Sequence, residues 1–361
     1  MTAINKNQNQ IQGKHRPLIY KITDFKYSRE ITQRFPYPFY RLNQITGGSE
    51  VGALNILFAK TNSAKSELIM QFMCTWIDYG YKVCAMLGEH TMRKAQASLY
   101  KKVSRYDKDK WITKSYGVDK NGKDLGIYET FISEEDEQKA IEFFGDNLYL
   151  YDTRNGFDLN SILAGFEEGY KQGCQIFVTD NMMMLEYEGV SSELREQTDN
   201  TEKLRQWAKS HQVVCYLVAH ARKIEVDRIR LTETDIQGSG NVSNKATTII
   251  TITRTNNLDP STKQYRAYAK LLSFNYINIE KCDAVLEVVK EKNAKGAGFV
   301  PLKWFESTKT FKEVYDPEME EKRSKDKDDK AVLYAPKDEK ASEIVFDDNL
   351  VPLEDDEYNP F

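Results

Sequence analysis

The chain has 361 residues, 40% of them apolar and 12% aromatic, enough for one large core and little more as independent domains. Its net charge of −4 argues against a generic nucleic-acid binder, but residues 341–361 hold seven acids and no Lys or Arg. Residues 1–340 therefore sit at +3, which leaves a local basic surface on the body open. No apolar run reaches the length of a membrane span, the polar start MTAINKNQNQIQGKHR lacks a signal-peptide core, and the five scattered cysteines form no CxxC pair. A soluble, cytoplasmic protein with reduced core cysteines and no membrane partner is expected.

In chain order, residues 1–16 are polar, and one amphipathic stretch, KITDFKYSREITQRF, ends at the turn-prone FPYPFY. From Arg41 onward β-like runs alternate with helical ones. The expected strands are ALNILFA (53–59), KVCAML (82–87), NLYLYD (147–152), CQIFVTD (174–180), VVCYLVAH (213–220), ATTIITITR (246–254), QYRAYAKLLSF (264–274) and DAVLEVVKEK (283–292). Several are apolar throughout, as strands buried on both faces are, and the stretches 66–80 and 159–173 read as helices between the early ones. Strand, helix, strand at this spacing predicts an α/β fold with a mostly parallel central sheet flanked by helices. Residues 104–135, rich in Lys, Asp and Gly, read as a surface insertion, and the EEKRSKDKDDK charge run opens a stretch with no expected order. The organisation is an N-terminal arm (1–35), one α/β domain (36–315) and a charged acidic tail (316–361).

Ligands of a parallel sheet bind beyond the carboxyl ends of its strands. After the first strand the sequence reads AKTNSAKS, which fits the phosphate-loop pattern GxxxxGK[ST] with Ala59 and Ala64 in place of both glycines and Lys65 and Ser66 retained. Lys65 would reach the β and γ phosphates of ATP or another nucleoside triphosphate, Ser66 would hold Mg²⁺, and the loop amides with the helix N-terminus would cradle the anion. By itself the segment fits an ordinary solvated helix start equally well. Asp180 ends an apolar strand, where a carboxylate can complete the Mg²⁺ shell. Glu89 lies just past the second strand, placed to take a proton from an attacking water. His220, followed by Arg222 and Lys223, ends a fifth strand, within reach of a γ phosphate or of bound nucleic acid, although a strand-end histidine is often structural. All four positions fall on one edge of one sheet.

From about Tyr40 to Phe311 the chain resembles the helicase domain of the Twinkle and podovirus primase-helicase family, and more distantly bacterial replicative helicases. The resemblance is carried by GYKVCAMLGEH, by NLYLYDTRNGFDLNSILAGFEEGYKQGCQIFVTDN, by LVAHARK, by TETDIQGSGNVSNKATTIITITR and by VVKEKN. It implies a RecA-like P-loop ATPase core without the primase part. Glu89 is then the counterpart of the catalytic base, His220 that of the phosphate-sensing histidine, and Arg222 and Lys223 those of the DNA-contacting cations. TETDIQGSG corresponds to a loop lining a central channel, and Lys290 and Lys292 to a pair that one subunit points into its neighbour's nucleotide. Residues 21–35 match a linker helix that closes a hexameric ring on single-stranded DNA. The chain departs from the pattern at Ala59, Ala64, Gln237 and Lys292, where the family has Gly, Gly, Arg and Arg. A lysine lacks the planar fork of arginine, so slow turnover is expected. The alternative is a RecA-like recombination or single-strand-binding and annealing protein in which the altered site serves assembly. The tail FDDNLVPLEDDEYNPF, acids followed by the terminal Phe361, resembles tails by which replisome proteins dock on a polymerase or primase.

Overall fold

The computed structural model describes residues 32–314 apart from 105–111, 116, 118–119, 127, 183–184, 186–192, 223–228, 238–239, 275–276 and 293–296. The elements in chain order are β1 (Arg34–Phe35), α1 (Tyr40–Thr46), β2 (Ser49–Glu50), β3 (Leu54–Ala59), α2 (Lys65–Asp78), β4 (Val83–Leu87) and α3 (Met92–Val103). A hairpin, β5 (Ile112–Ser115) and β6 (Tyr128–Phe131), falls within the expected insertion. Then come α4 (Glu134–Phe144), β7 (Leu148–Leu150), α5 (Leu159–Lys171), β8 (Ile176–Asp180), α6 (Glu193–His211), β9 (Val214–His220), α7 (Gly240–Lys245) and β10 (Thr248–Arg254). The last elements are α8 (Lys263–Ser273), β11 (Ala284–Glu291), β12 (Gly298–Phe305) and β13 (Thr310–Glu313).

Nine strands form the central sheet in the order β13-β12-β11-β10-β3-β9-β8-β4-β7. The six from β10 to β7 are parallel, and β11, β12 and β13 extend the sheet as an antiparallel edge. The unbroken apolar runs of the central strands follow from this arrangement, because successive side chains of one strand enter different cores. Leu57 and Ala59 of β3 pack with the residues of α1 to α4, whereas Ile56 and Phe58 pack with those of α5 and α6. Phe72 and Trp76 of α2 are fully buried, and Trp76 Nε1 donates to the Pro36 carbonyl at 2.7 Å, which ties the segment before α1 to the core. All five cysteines are buried and unbridged.

Two expectations are corrected. Residues 264–274 form no strand: 264–273 lie in α8, capped by the Thr262 hydroxyl accepting from the Tyr265 amide, and Phe274 follows its last turn. The aromatic and alternating look of QYRAYAKLLSF hides a spacing of four, Tyr268 to Leu272, and these are the two residues the helix buries. Arg34 and Phe35, placed at the end of a linker helix, instead pair antiparallel with β2. The rest of that stretch, residues 21–31, lies outside the described residues, as does the acidic tail. Strands β12 and β13 are not among the expected strands: the edge strand β13, TFKE, is too short and polar to stand out, whereas β12, GFVPLKWF, carries apolar residues of which Val300 and Leu302 are buried.

Candidate functional site

The carboxyl ends of β3, β9, β8 and β4 stand side by side, with Ala59 opposite His220, Asp180 opposite Val218, and Leu87 opposite Asp180. Ala59 still belongs to β3, so the first departure from the phosphate-loop pattern needs no special backbone. Ala64 is different. It precedes α2 in the left-handed region (φ 62°, ψ 33°), as does Asn62 (φ 60°). The loop thus takes the turn a glycine would favour while holding an alanine, at a cost on the order of 1 kcal/mol.

Lys65, the first residue of α2, is buried, and its Nζ donates to the Lys60 carbonyl at 3.3 Å and to His220 Nδ1 at 3.2 Å. A lysine only donates, so Nδ1 accepts and the ring proton sits on Nε2. Nε2 lies 3.3 Å from Glu89 Oε1. Asn181, also buried, donates through Nδ2 to the same Glu89 oxygen and lies 3.2 Å from His220 Nε2. Lys65, His220, Glu89 and Asn181 therefore form one polar chain across three strand ends. Burial pulls the Lys65 ammonium below its ordinary range, while Glu89 and Asp180 draw it back up.

Asp180 is fully buried, and neither carboxylate oxygen accepts a well-formed hydrogen bond among the described residues. Burial, reinforced by the charge of Glu89, pushes its carboxyl up to about 6 against the pull of the nearby Ser66 hydroxyl and Lys65. A bare carboxylate in such a place is costly unless a cation meets it. The donor set, this carboxylate with the Ser66 hydroxyl, suits a hard divalent ion such as Mg²⁺.

The remaining sequence-derived positions lie elsewhere. Because β11 runs antiparallel to β10, with Glu291 opposite Thr248, Lys290 and Lys292 come out at the amino ends of the parallel strands, on the sheet edge away from Lys65. There Lys290 Nζ donates to the Ser243 carbonyl at 2.7 Å and Lys292 Nζ to the Asn244 carbonyl at 3.1 Å, both at the end of α7. Arg222 is half-exposed and lies 3.3 Å from a carboxylate oxygen of the buried Asp235. Lys223 lies outside the described residues. The segment leading into QGSG is laced to the end of β9: Arg222 N donates to the Asp235 carbonyl at 2.8 Å and Gln237 N to that of His220 at 2.8 Å.

Asn181 and Asp235 were missed. Asn181 follows the strand-end aspartate directly, so its position beside the site was readable. Its contact with Glu89, 92 residues away, was not. Asp235 was visible only as one acid in TETD, and its role in seating Thr232 and Arg222 depends on the fold.

The architecture and the site define the fold as that of a RecA-like P-loop ATPase domain. A solved structure of an ATPase domain aligns with a TM-score of 0.60 at 17% identity, over 78% of this chain and 91% of that one. A DnaB-like replicative helicase, described in its interactions with primase, aligns with a TM-score of 0.59 at 17% identity over 77% of this chain, and the match spans 61% of that protein's length. No protein-family model and no curated protein matches the sequence.

Proposed function

We propose that the chain is the motor domain of a ring-forming replicative DNA helicase of the phage type, driven by hydrolysis of ATP or another nucleoside triphosphate. The observation that carries the proposal is the split of the site between opposite sheet edges. Lys65, Ser66, Asp180, Glu89 and His220 share one edge, while Lys290 and Lys292 stand on the other, away from that site, and in this reading they serve the nucleotide of a neighbouring subunit. A head-to-tail interface that repeats this contact closes into a ring when its rotation closes, and the proposed helicase uses that closed form.

In this reading the triphosphate lies over the Lys60–Ala64 loop and displaces Lys65 from the Lys60 carbonyl and from His220. Ser66 and Asp180 are the residues that would hold Mg²⁺, which when bound neutralises charge on the β- and γ-phosphate oxygens. Glu89 orients the attacking water and takes its proton. His220, freed from Lys65, reports the state of the γ phosphate through its carbonyl bond to Gln237, and so to the loop that faces DNA. Arg222 and Lys223 grip single-strand phosphates with little choice of sequence.

A second reading, a recombination or annealing protein of the same fold with a weakened ATPase, is favoured by the strained Ala64 and by Lys292 in place of arginine. The test is nucleotide hydrolysis with and without single-stranded DNA, followed by strand separation on a forked duplex. The helicase reading expects DNA-stimulated hydrolysis and unwinding. It also expects Lys65→Ala to abolish nucleotide binding, and Glu89→Gln to keep binding while losing at least about 100-fold in hydrolysis. Annealing without unwinding would favour the second reading.

A further inference from the structure

The loop carrying Glu89 is fastened to the end of β8 at two points. Gly88 N donates to the Asp180 carbonyl at 2.5 Å, which sets the main chain of the loop. The Asn181 side-chain amide donates to Glu89 Oε1, which sets the side chain. Glu89 itself is 40% exposed at its side chain, whereas Asn181 is 1% exposed. A carboxylate on a mobile three-bond arm loses its aim unless a fixed donor holds one oxygen. His220 Nε2 at 3.3 Å is a weaker second hold, and its ring is tied to Lys65, which the bound phosphate claims.

We infer that Asn181 is the positioning residue for Glu89: its amide occupies one carboxylate oxygen and leaves the other directed at the water that attacks the γ phosphate. The inference rests on the hydrolytic function proposed above. It also makes the end of β8 a single unit in which Asp180 holds the cation and the next residue aims the base, so cation and base keep a fixed relation.

Two substitutions separate aim from packing. Asn181→Ala removes the amide. Asn181→Asp keeps its shape but replaces the donor by a second carboxylate, which repels Glu89. Hydrolysis and nucleotide affinity are measured on the full chain with single-stranded DNA, with the Mg²⁺ requirement and the melting temperature followed alongside. Asn181→Ala should lower kcat by about 10- to 100-fold with nucleotide affinity, Mg²⁺ requirement and melting temperature near wild type, and Asn181→Asp should lower kcat by more and melt at a lower temperature, because it adds a buried carboxylate. In the Glu89→Gln background neither change should lower the residual rate further, because the aimed group is already gone. Unchanged kcat in both variants, a loss confined to affinity, or an equal further loss in the Glu89→Gln background would overturn the inference while leaving the proposed function standing. A wild-type chain with no hydrolysis at all would overturn both.

Discussion

At the scale of single residues, the charged groups of the candidate site suit the ligands proposed for it. Asp180 stands without a well-formed hydrogen bond among the described residues, and burial pushes its carboxyl up to about 6 from an ordinary 3.8. Between those values the folded chain holds a proton that the unfolded chain has lost. The stability of the ligand-free protein should therefore fall as pH rises from about 4 to about 6, by on the order of 3 kcal/mol. Asp180→Asn, measured by denaturant titration in a chelator, should lack that fall and be the more stable protein at pH 7, while losing the rise in melting temperature that Mg²⁺ and nucleotide give the wild type. Ala64 makes a complementary case. Its Cβ sits on a left-handed backbone, so Ala64→Gly removes roughly 1 kcal/mol of strain, partly offset by the freer unfolded chain. Stability should rise slightly, and hydrolysis should rise more, further still with Lys292→Arg; a wild type already as fast as the double variant would show that neither substitution limits turnover.

At the scale of elements, α7 joins the two ends of the proposed motor. It follows the QGSG segment and ends at carbonyls that accept from Lys290 and Lys292, while Lys245 in its last turn pairs with Glu202 of α6 at 2.9 Å. If Lys290 and Lys292 act on the neighbour's nucleotide, subunits lacking them and subunits lacking Lys65 should complement each other. Alone, Lys65→Ala and the Lys290→Ala, Lys292→Ala pair should each be inactive. Mixed in equal amounts before assembly, they should regain about a quarter of the wild-type hydrolysis, the share of interfaces with both halves intact. A pair acting within its own chain would give no recovery. The helix α8 carries the opposite lesson about elements. Its Tyr268 hydroxyl donates to Glu287 Oε2 of β11 at 2.7 Å, and Arg230 pairs with the other oxygen of that buried carboxylate, so a segment resembling a strand is instead a brace over the last part of the sheet.

At the scale of the whole molecule, a ring around DNA would place the half-exposed Arg222, with Lys223, toward the channel. Replacing both with Ala should weaken single-strand binding and flatten its salt dependence while nucleotide binding stays unchanged. The acidic tail is proposed to work at this scale too. Its seven acids and terminal Phe361 suit a basic partner with an apolar pocket, and in the absence of that partner they compete with DNA for the body's own cations. Deleting 346–361 should leave oligomerisation and hydrolysis intact, tighten DNA binding at low salt and abolish binding to a cognate polymerase or primase. Removing Phe361 alone should lose the partner and keep the DNA effect, because the ring serves one and charge the other. Retained partner binding without Phe361 would leave the tail a solvated end.

What the sequence by itself determined is the mostly parallel sheet, and from it came the proposed ligand edge with its candidates Lys65, Ser66, Glu89, Asp180 and His220. Each of these reports on its own neighbourhood: an apolar run long enough for a strand, then a polar residue where that run stops. The tertiary structure decided whatever depends on which strands are neighbours. It brought Asn181 and His220 to the same oxygen of Glu89, buried Asp180 without a well-formed hydrogen bond among the described residues, and sent Lys290 and Lys292 to the far edge by turning β11 antiparallel. Strand order and direction arise from packing between segments tens to hundreds of residues apart, and a local pattern of side chains carries no record of them.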